Sequence, residues 1–520
     1  MTTGAAMLAT AHAFTIDGFQ THHVTVEVDV RPGLPAFVIV GLADTAVREA
    51  RERIAGAIRN SGFEFPARRI TANLAPADLP KAGPGLDLPL ACAVLAASGQ
   101  LPAERLGEVA LAGELGLDGS LRPARGTLAI AEAARASGLG VLVLAPGRSS
   151  EAGLIGNLRV APAGSLTRAV RILRGGPADE PVPWTRAKRP SRGGAVAGPD
   201  LVDVRGQRLA VRALVIAAAG AHNLLLSGAP GTGKTMLAQR LPSILPPLED
   251  REAVEVTRIR SLLGGEVTGL VRRPPFRAPH HTVTAAGLLG GARRGAPGEV
   301  VLAHNGVLFL DELSEFSRPA LESLRQPLED GRVAITRAHH CAVYPARFML
   351  VAATNPCPCG FSGELERCRC SEADLARHRR RLSGPLLDRL DLLVNLRRER
   401  GEHPGPPTSS RRAREVVTEA RERQARNLRG RAIGRNGHMD AGALRACARL
   451  DPRAEGMLQR AREVGLLSAR GEHRAVRVAR TIADLDGAAR IGTAHMAEAL
   501  AFRPDLTYEP LPAPGGGVPA

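Results

Sequence analysis

The chain has 520 residues, more than one compact core holds, and at about 100–200 residues per domain three domains are expected. Its 44% hydrophobic and 23% charged content excludes wholesale disorder, and no apolar run reaches the roughly 18–20 residues of a membrane span. The net charge of +17 favours anionic partners, nucleic acid first, while an aromatic content of 3% argues against base-stacking platforms.

Met1 to Thr15 lack a basic stretch followed by a long apolar one, so a cytoplasmic protein without a secretory leader is expected. Residues 1–173 read as one α/β domain. Val24, Val26, Val28 and Val30 alternate with Thr25, Glu27 and Asp29, the period of a half-buried strand. Phe37 to Val40 is a second short strand, stopped by Gly41. A helix is predicted over 44–61, with Val47, Ile54 and Ile58 on one face and Gly62 suited to its C-terminal cap. A strand over 70–74, helices over 88–97 and 128–137 and a buried strand over 141–144 follow. Residues 174–200 are rich in Gly, Pro and Arg without apolar period, and read as a flexible linker.

Residues 201–400 carry near-continuous apolar strands at 223–227, 306–310 and 348–353. Such runs argue for a parallel sheet covered on both faces. Residues 401–412 form a basic Pro/Ser-rich break. Residues 413–508 are predicted helical, with Thr493 as N-cap of the last helix. The tail, 509–520, is Pro/Gly-rich and expected to be disordered.

Gly228-Ala229-Pro230-Gly231-Thr232-Gly233-Lys234-Thr235 fits G-x-x-x-x-G-K-[ST] between an apolar strand and a helix. Its glycines let backbone N–H groups wrap phosphates, Lys234 reaches the β/γ-phosphates of ATP and Thr235 ligates Mg2+. Only three lysines occur in the chain, and one stands here. The strand 307–310 ends in Asp311 and Glu312. Asp311 can hold the Mg2+ shell and Glu312 can activate a water, the pair that turns a nucleotide site into a hydrolase. Asn355 follows the third strand at the sheet's carboxyl edge and can position that water.

Four of the seven cysteines, Cys357, Cys359, Cys368 and Cys370, fall within fourteen residues as C-x-C-x8-C-x-C. Four thiolates in so short a loop can make a structural zinc site, with four reduced thiols as the alternative. The basic clusters 377–381 and 411–414 read equally as solvated surface or as a grip on phosphates.

Gly228 to Thr235, Leu308 to Glu312, Asn355 and the run Arg381 to Asp391 together resemble AAA+ ATPases of the magnesium-chelatase-like group. Segments 40–83, 276–291 and 477–487 extend the resemblance to about residues 10–505. The resemblance implies a Lon-protease-like (ribosomal S5 domain 2-like) N-terminal domain, an AAA+ α/β core and a C-terminal helical lid. Arg389 resembles the arginine finger that reaches a neighbouring subunit's γ-phosphate. Arg470 and Arg477, seven residues apart, are both candidates for the sensor-2 arginine. Val204 to Gln207 resembles the segment packed near adenine, and the His280-His281 pair belongs to a family motif. In Lon-type proteases a serine and a lysine cut peptides. Here those positions fall at Gly85 and about Leu128, which implies a fold kept and proteolysis lost.

The implied activity is ATP-driven branch migration of recombination junctions by a homo-hexameric ring, on DNA without sequence preference. A magnesium-chelatase ATPase subunit, driving metal into a tetrapyrrole, is the main rival. An ATP-dependent protease is disfavoured by the missing Ser–Lys pair, and a non-enzymatic scaffold by the intact acidic pair.

Overall fold

In the chain's first strand, alanine and valine face each other across an antiparallel pair. Ala9, Ala11 and Ala13 of β1 (Met7–Asp17) lie opposite Val28, Val26 and Val24 of β2 (Gln20–Arg31), all buried. Sheet one continues through β3 (Ala36–Val40), β4 (Arg69–Ala75), β5 (Val109–Ala112), β8 (Val141–Leu144) and β9 (Arg159–Pro162). A two-residue hairpin, β6 (Glu114–Leu115) with β7 (Leu121–Arg122), stands apart from it. The order is β3-β4-β2-β1-β5-β8-β9, antiparallel only across β4-β2-β1. The helix Asp87–Ala97 is buried along its whole length against this sheet. Its Asp87 accepts from Arg53 through both carboxylate oxygens, at 3.0 and 3.1 Å, the bidentate pairing a buried carboxylate requires.

The second sheet is fully parallel, in the order β11-β12-β15-β10-β16. Its strands are β10 (Leu224–Gly228), β11 (Phe276–Arg277), β12 (Val307–Leu310), β15 (Met349–Thr354) and β16 (Leu392–Leu396). The three strands expected from apolar runs are β10, β12 and β15. All three are buried at every position, as a sheet covered on both faces requires. A separate hairpin joins β13 (Arg332–Arg337) to β14 (His340–Pro345). From Ser410 to Ala501 the described chain is helical apart from short connections.

The computed structural model describes residues 7–42, 45–81, 84–178, 198–265, 267–291, 297–337, 340–362, 367–381, 384–397, 408–431 and 433–503. Residues 179–197 of the expected linker, 401–407 of the expected break and the expected tail lie outside them. No helix among the described residues is long and apolar enough to cross a membrane.

The chain divides into two units, 1–189 with 249–271, and 190–248 with 272–520. Residues 249–271 thus leave the sequence of the second unit and pack within the first. Their helix, Asp250–Leu262, is tied there by Arg258, whose guanidinium stacks 4.4 Å over Phe19 and lies 3.5 Å from Glu132. Gly126 lets that helix approach. At φ +70 it takes left-handed backbone, and a Cβ there would sit 2.4 Å from Ile16 Cδ1 and 2.9 Å from Leu262 Cδ2.

Lys81 is buried in the first unit, its ammonium donating to the Pro76 carbonyl, and burial lowers its pKa. The expected N-cap of the last helix needs correction. Gly492 occupies the cap, and Thr493 is the first residue of the helix Thr493–Ala501.

Candidate nucleotide site

The loop Gly228–Gly233 leaves the carboxyl end of β10 and feeds the helix Lys234–Ile244. Gly231 (φ +78) and Gly233 (φ +89) hold left-handed backbone, which glycine adopts without strain. Lys234 Nζ donates to the carbonyls of Gly228 (2.6 Å) and Ala229 (3.1 Å) and to Asn355 Oδ1 (3.1 Å). Burial lowers the Lys234 pKa, while the charges of Asp311 and Glu312 pull it back up.

Thr235 Oγ1 donates to Asp311 Oδ2 at 2.7 Å. A hydroxyl and a carboxylate held this close are hard oxygen donors of the kind Mg2+ takes alongside phosphate oxygens and water. The donor set therefore fits a nucleotide-bound magnesium ion.

Glu312 separates the two acids by its backbone. At φ +52 it is a non-glycine residue in left-handed conformation, and its N–H donates to Asp311 Oδ1 at 2.9 Å. Asp311 so turns to Thr235, and the exposed Glu312 carboxylate turns to His281, whose Nδ1 lies 3.5 Å from Oε2. His281 in turn packs on His280, ring centroids 4.0 Å apart. The histidine pair thus borders the expected base, a relationship its sequence spacing gave no hint of.

Asn355 sits directly after β15, and its carbonyl accepts from His378 Nε2 at 2.9 Å. His378 is buried, so it belongs neither to a solvated surface nor to an exposed grip on phosphates, the two readings of its cluster. Arg377, Arg380 and Arg381 of the same helix, Glu372–Arg381, are exposed. In the second cluster Arg411 and Arg412 are exposed, while Arg414 donates to the Ser243 carbonyl at 3.0 Å. Gln207, the last residue of the expected adenine segment, donates to the Arg397 carbonyl at 2.6 Å.

The structure pairs Lys234 with Asn355 and Thr235 with Asp311 at the carboxyl edge of the second sheet. Arg389 instead donates to Glu329, with its side chain only 12% exposed. Arg470 and Arg477 both lie on the helix Ala469–Leu485, but differently. Arg470 is exposed, whereas Arg477 is half-buried. Desolvation lowers the Arg477 pKa against the raising charge of Asp391. Between them Arg474 reaches Asp391 directly, Nε to Oδ1 3.8 Å. Arg474 was legible, because it stands four residues after Arg470 and three before Arg477, on the face they share.

The sulfurs of Cys357, Cys359, Cys368 and Cys370 all lie within 4.8 Å of one another, and Cys357 is fully buried.

Residues 200–403 match the family described as magnesium chelatase, subunit ChlI. Residues 26–147 match subunit ChlI of Mg-chelatase, and 407–503 the ChlI C-terminal family. The uncharacterized protein YifB of Escherichia coli K12 is 42% identical over 510 residues, covering 95% of this chain and 97% of its own. Competence protein ComM of Haemophilus influenzae is 41% identical over 511 residues, covering 95% and 97%. The magnesium-chelatase 67 kDa subunit of Heliobacterium mobile is 28% identical over 195 residues, covering 32% and 29%. Across nearly its whole length, the chain belongs to the magnesium-chelatase-like ComM/YifB family, which is related to AAA+ ATPases.

Proposed function

We propose that the chain is an ATP-hydrolysing motor that acts on DNA, migrating branched junctions during recombination. The observation that carries the ATPase part is the meeting of Lys234, Thr235, Asp311 and Asn355 at one edge of a parallel sheet. Lys234 neutralises phosphate charge and Thr235 with Asp311 holds Mg2+. Glu312 takes the proton of the attacking water, and Asn355 orients that water. Magnesium supplies charge stabilisation at the transferring phosphoryl group.

The DNA part is supported by the +17 charge and by the full-length similarity to a competence protein. In this reading the chain works in the cytoplasm as a homo-hexameric ring, with Arg389 completing the neighbour's site. The helices from Ser410 onward serve as the lid, with Arg470 or Arg477 as its nucleotide-sensing arginine. The first unit keeps a Lon-like fold without peptidase chemistry, since Gly85 and Leu128 offer neither nucleophile nor base. Four thiols at Cys357, Cys359, Cys368 and Cys370 fit a structural zinc.

ATPase activity measured with and without four-way-junction DNA tests this function. The reading expects stimulation by the junction, and an unstimulated rate speaks against it. A chelatase-type motor is the second reading, favoured by the chelatase-subunit matches. It expects ATP turnover coupled to metal insertion into a porphyrin and indifferent to DNA.

A further inference from the structure

We propose that Cys357, Cys359, Cys368 and Cys370 hold one zinc ion whose task is to brace Asn355 and the P-loop, so that metal occupancy sets the rate of ATP turnover. The inference rests on the ATPase part of the function above and is independent of its DNA part.

The sulfur geometry points to a single ion. A tetrahedral tetrathiolate with Zn–S near 2.3 Å places its sulfurs about 3.8 Å apart. The observed separations are 3.3 Å for Cys357–Cys359, 3.9 Å for Cys357–Cys368 and 3.7 Å for Cys359–Cys368. A disulfide needs about 2.05 Å, so none of these pairs is bonded. The Ser362 N–H donates to Cys357 Sγ at 3.2 Å, a bond that stabilises a ligating thiolate. The Arg367 guanidinium, next to Cys368, lies 4.2 Å over the Phe361 ring.

The cluster also touches the nucleotide loops. Cys357 is two residues from Asn355, whose side chain holds Lys234 and whose carbonyl is fixed by His378. The turn after Cys359 is made by Gly360, at φ +85, with its N–H donating to the Cys357 carbonyl at 3.0 Å. A Cβ on Gly360 would lie 2.6 Å from Pro230 Cδ and 3.9 Å from Asn355 Cγ. The turn Cys357 to Gly360, which carries the first two ligands, therefore backs directly onto the P-loop at Gly360. A four-thiolate shell leaves no open coordination position, so the ion acts through placement alone. Cys357, Cys359 and Gly360 are positioning residues.

The test uses the full chain, purified reduced and without a histidine tag. Elemental analysis is expected to give close to one zinc per chain. Co2+ substitution should show the absorption of a tetrahedral tetrathiolate. Two variants follow. Cys368→Ser/Cys370→Ser should lose the metal. Gly360→Ala should keep the metal and all four thiols while pressing on Pro230. Both should lower kcat by about tenfold to a hundredfold, the scale of an ångström-level misplacement. Removing zinc with a chelator should lower kcat of the native chain, and zinc alone should restore it. Absence of bound metal after zinc reconstitution overturns the site. Full zinc with unchanged kcat in Gly360→Ala, or a zinc-free chain with native kcat, overturns the coupling. A chain that hydrolyses ATP with this zinc dependence but ignores junction DNA would contradict the motor reading and leave the brace standing.

Discussion

Lys234 and Asn355 stand 121 positions apart in the chain, yet Nζ and Oδ1 meet at 3.1 Å. They meet because β10 and β15 are neighbouring parallel strands, with Ser227 in register with Thr354. One sheet edge so gathers a lysine and a polar group, placed where open parallel sheets bind ligands at their carboxyl ends. Lys234→Ala should therefore weaken ATP binding, and Asn355→Ala should lower kcat with little change in nucleotide affinity. Fluorescent-nucleotide titration alongside steady-state ATPase separates the two effects.

Glu312 and Asp311 are adjacent in sequence but point to different partners. Glu312→Gln should keep nucleotide binding and lose turnover by about a hundredfold or more, because it removes proton transfer alone. Asp311→Asn should also shift the Mg2+ requirement of the ATPase to higher concentration. A native ATPase rate in Glu312→Gln would remove Glu312 from the base role.

Arg389 is held by Glu329 within its own chain. If Arg389 completes the neighbouring subunit's site, mixing Arg389→Ala chains with Glu312→Gln chains should restore part of the ATPase activity. Mixed rings then contain interfaces with a native arginine facing a native base. Co-assembled mixtures no more active than either variant alone would end the role in trans.

Burial would raise the pKa of Asp391, but His222, Arg474 and Arg477 hold it below the usual carboxylate range. A native-state pKa depressed in this way contributes stability that is complete above the unfolded value of about 4. That contribution is lost as pH falls through the lower native value. Urea midpoints at pH 7, 4 and 3 should show a steeper acid loss in the native chain than in Asp391→Asn. Parallel curves would mean that the carboxylate does not carry the acid sensitivity.

Gly126→Ala should destabilise the first unit by about 1–3 kcal/mol, since the methyl meets Ile16 and Leu262 in a backbone conformation that alanine resists. Limited proteolysis should then cut within 249–271 first. Native protease resistance would show that the helix there does not depend on this close approach.

The three apolar runs were legible as β10, β12 and β15 because fully buried parallel strands need no alternation. β1 escaped notice since its buried face is alanine, which carries little strand signal. β16 directly follows the Arg381 to Asp391 motif, and Asn395 interrupts its short apolar run, so it carries a weak strand signal. The hairpin of β13 and β14 was readable in principle, with Val333 and Ile335 buried between exposed Arg332, Ala334 and Thr336. Within the site, the P-loop and the acidic pair were visible as contiguous motifs. Partnerships such as His281 with Glu312 join separate segments and follow only from the fold.

DNA binding by so basic a chain should weaken steeply with salt, because each neutralised phosphate releases counterions. Salt-insensitive binding would deny the phosphate backbone its expected part.

ATP-dependent displacement of an arm from a four-way DNA junction tests the central claim most directly. The native chain with Mg2+ and ATP should displace the arm, and Glu312→Gln should bind the same junction and leave it intact. Robust ATP hydrolysis by the native chain with no arm displacement, at salt where the junction is bound, would contradict the motor.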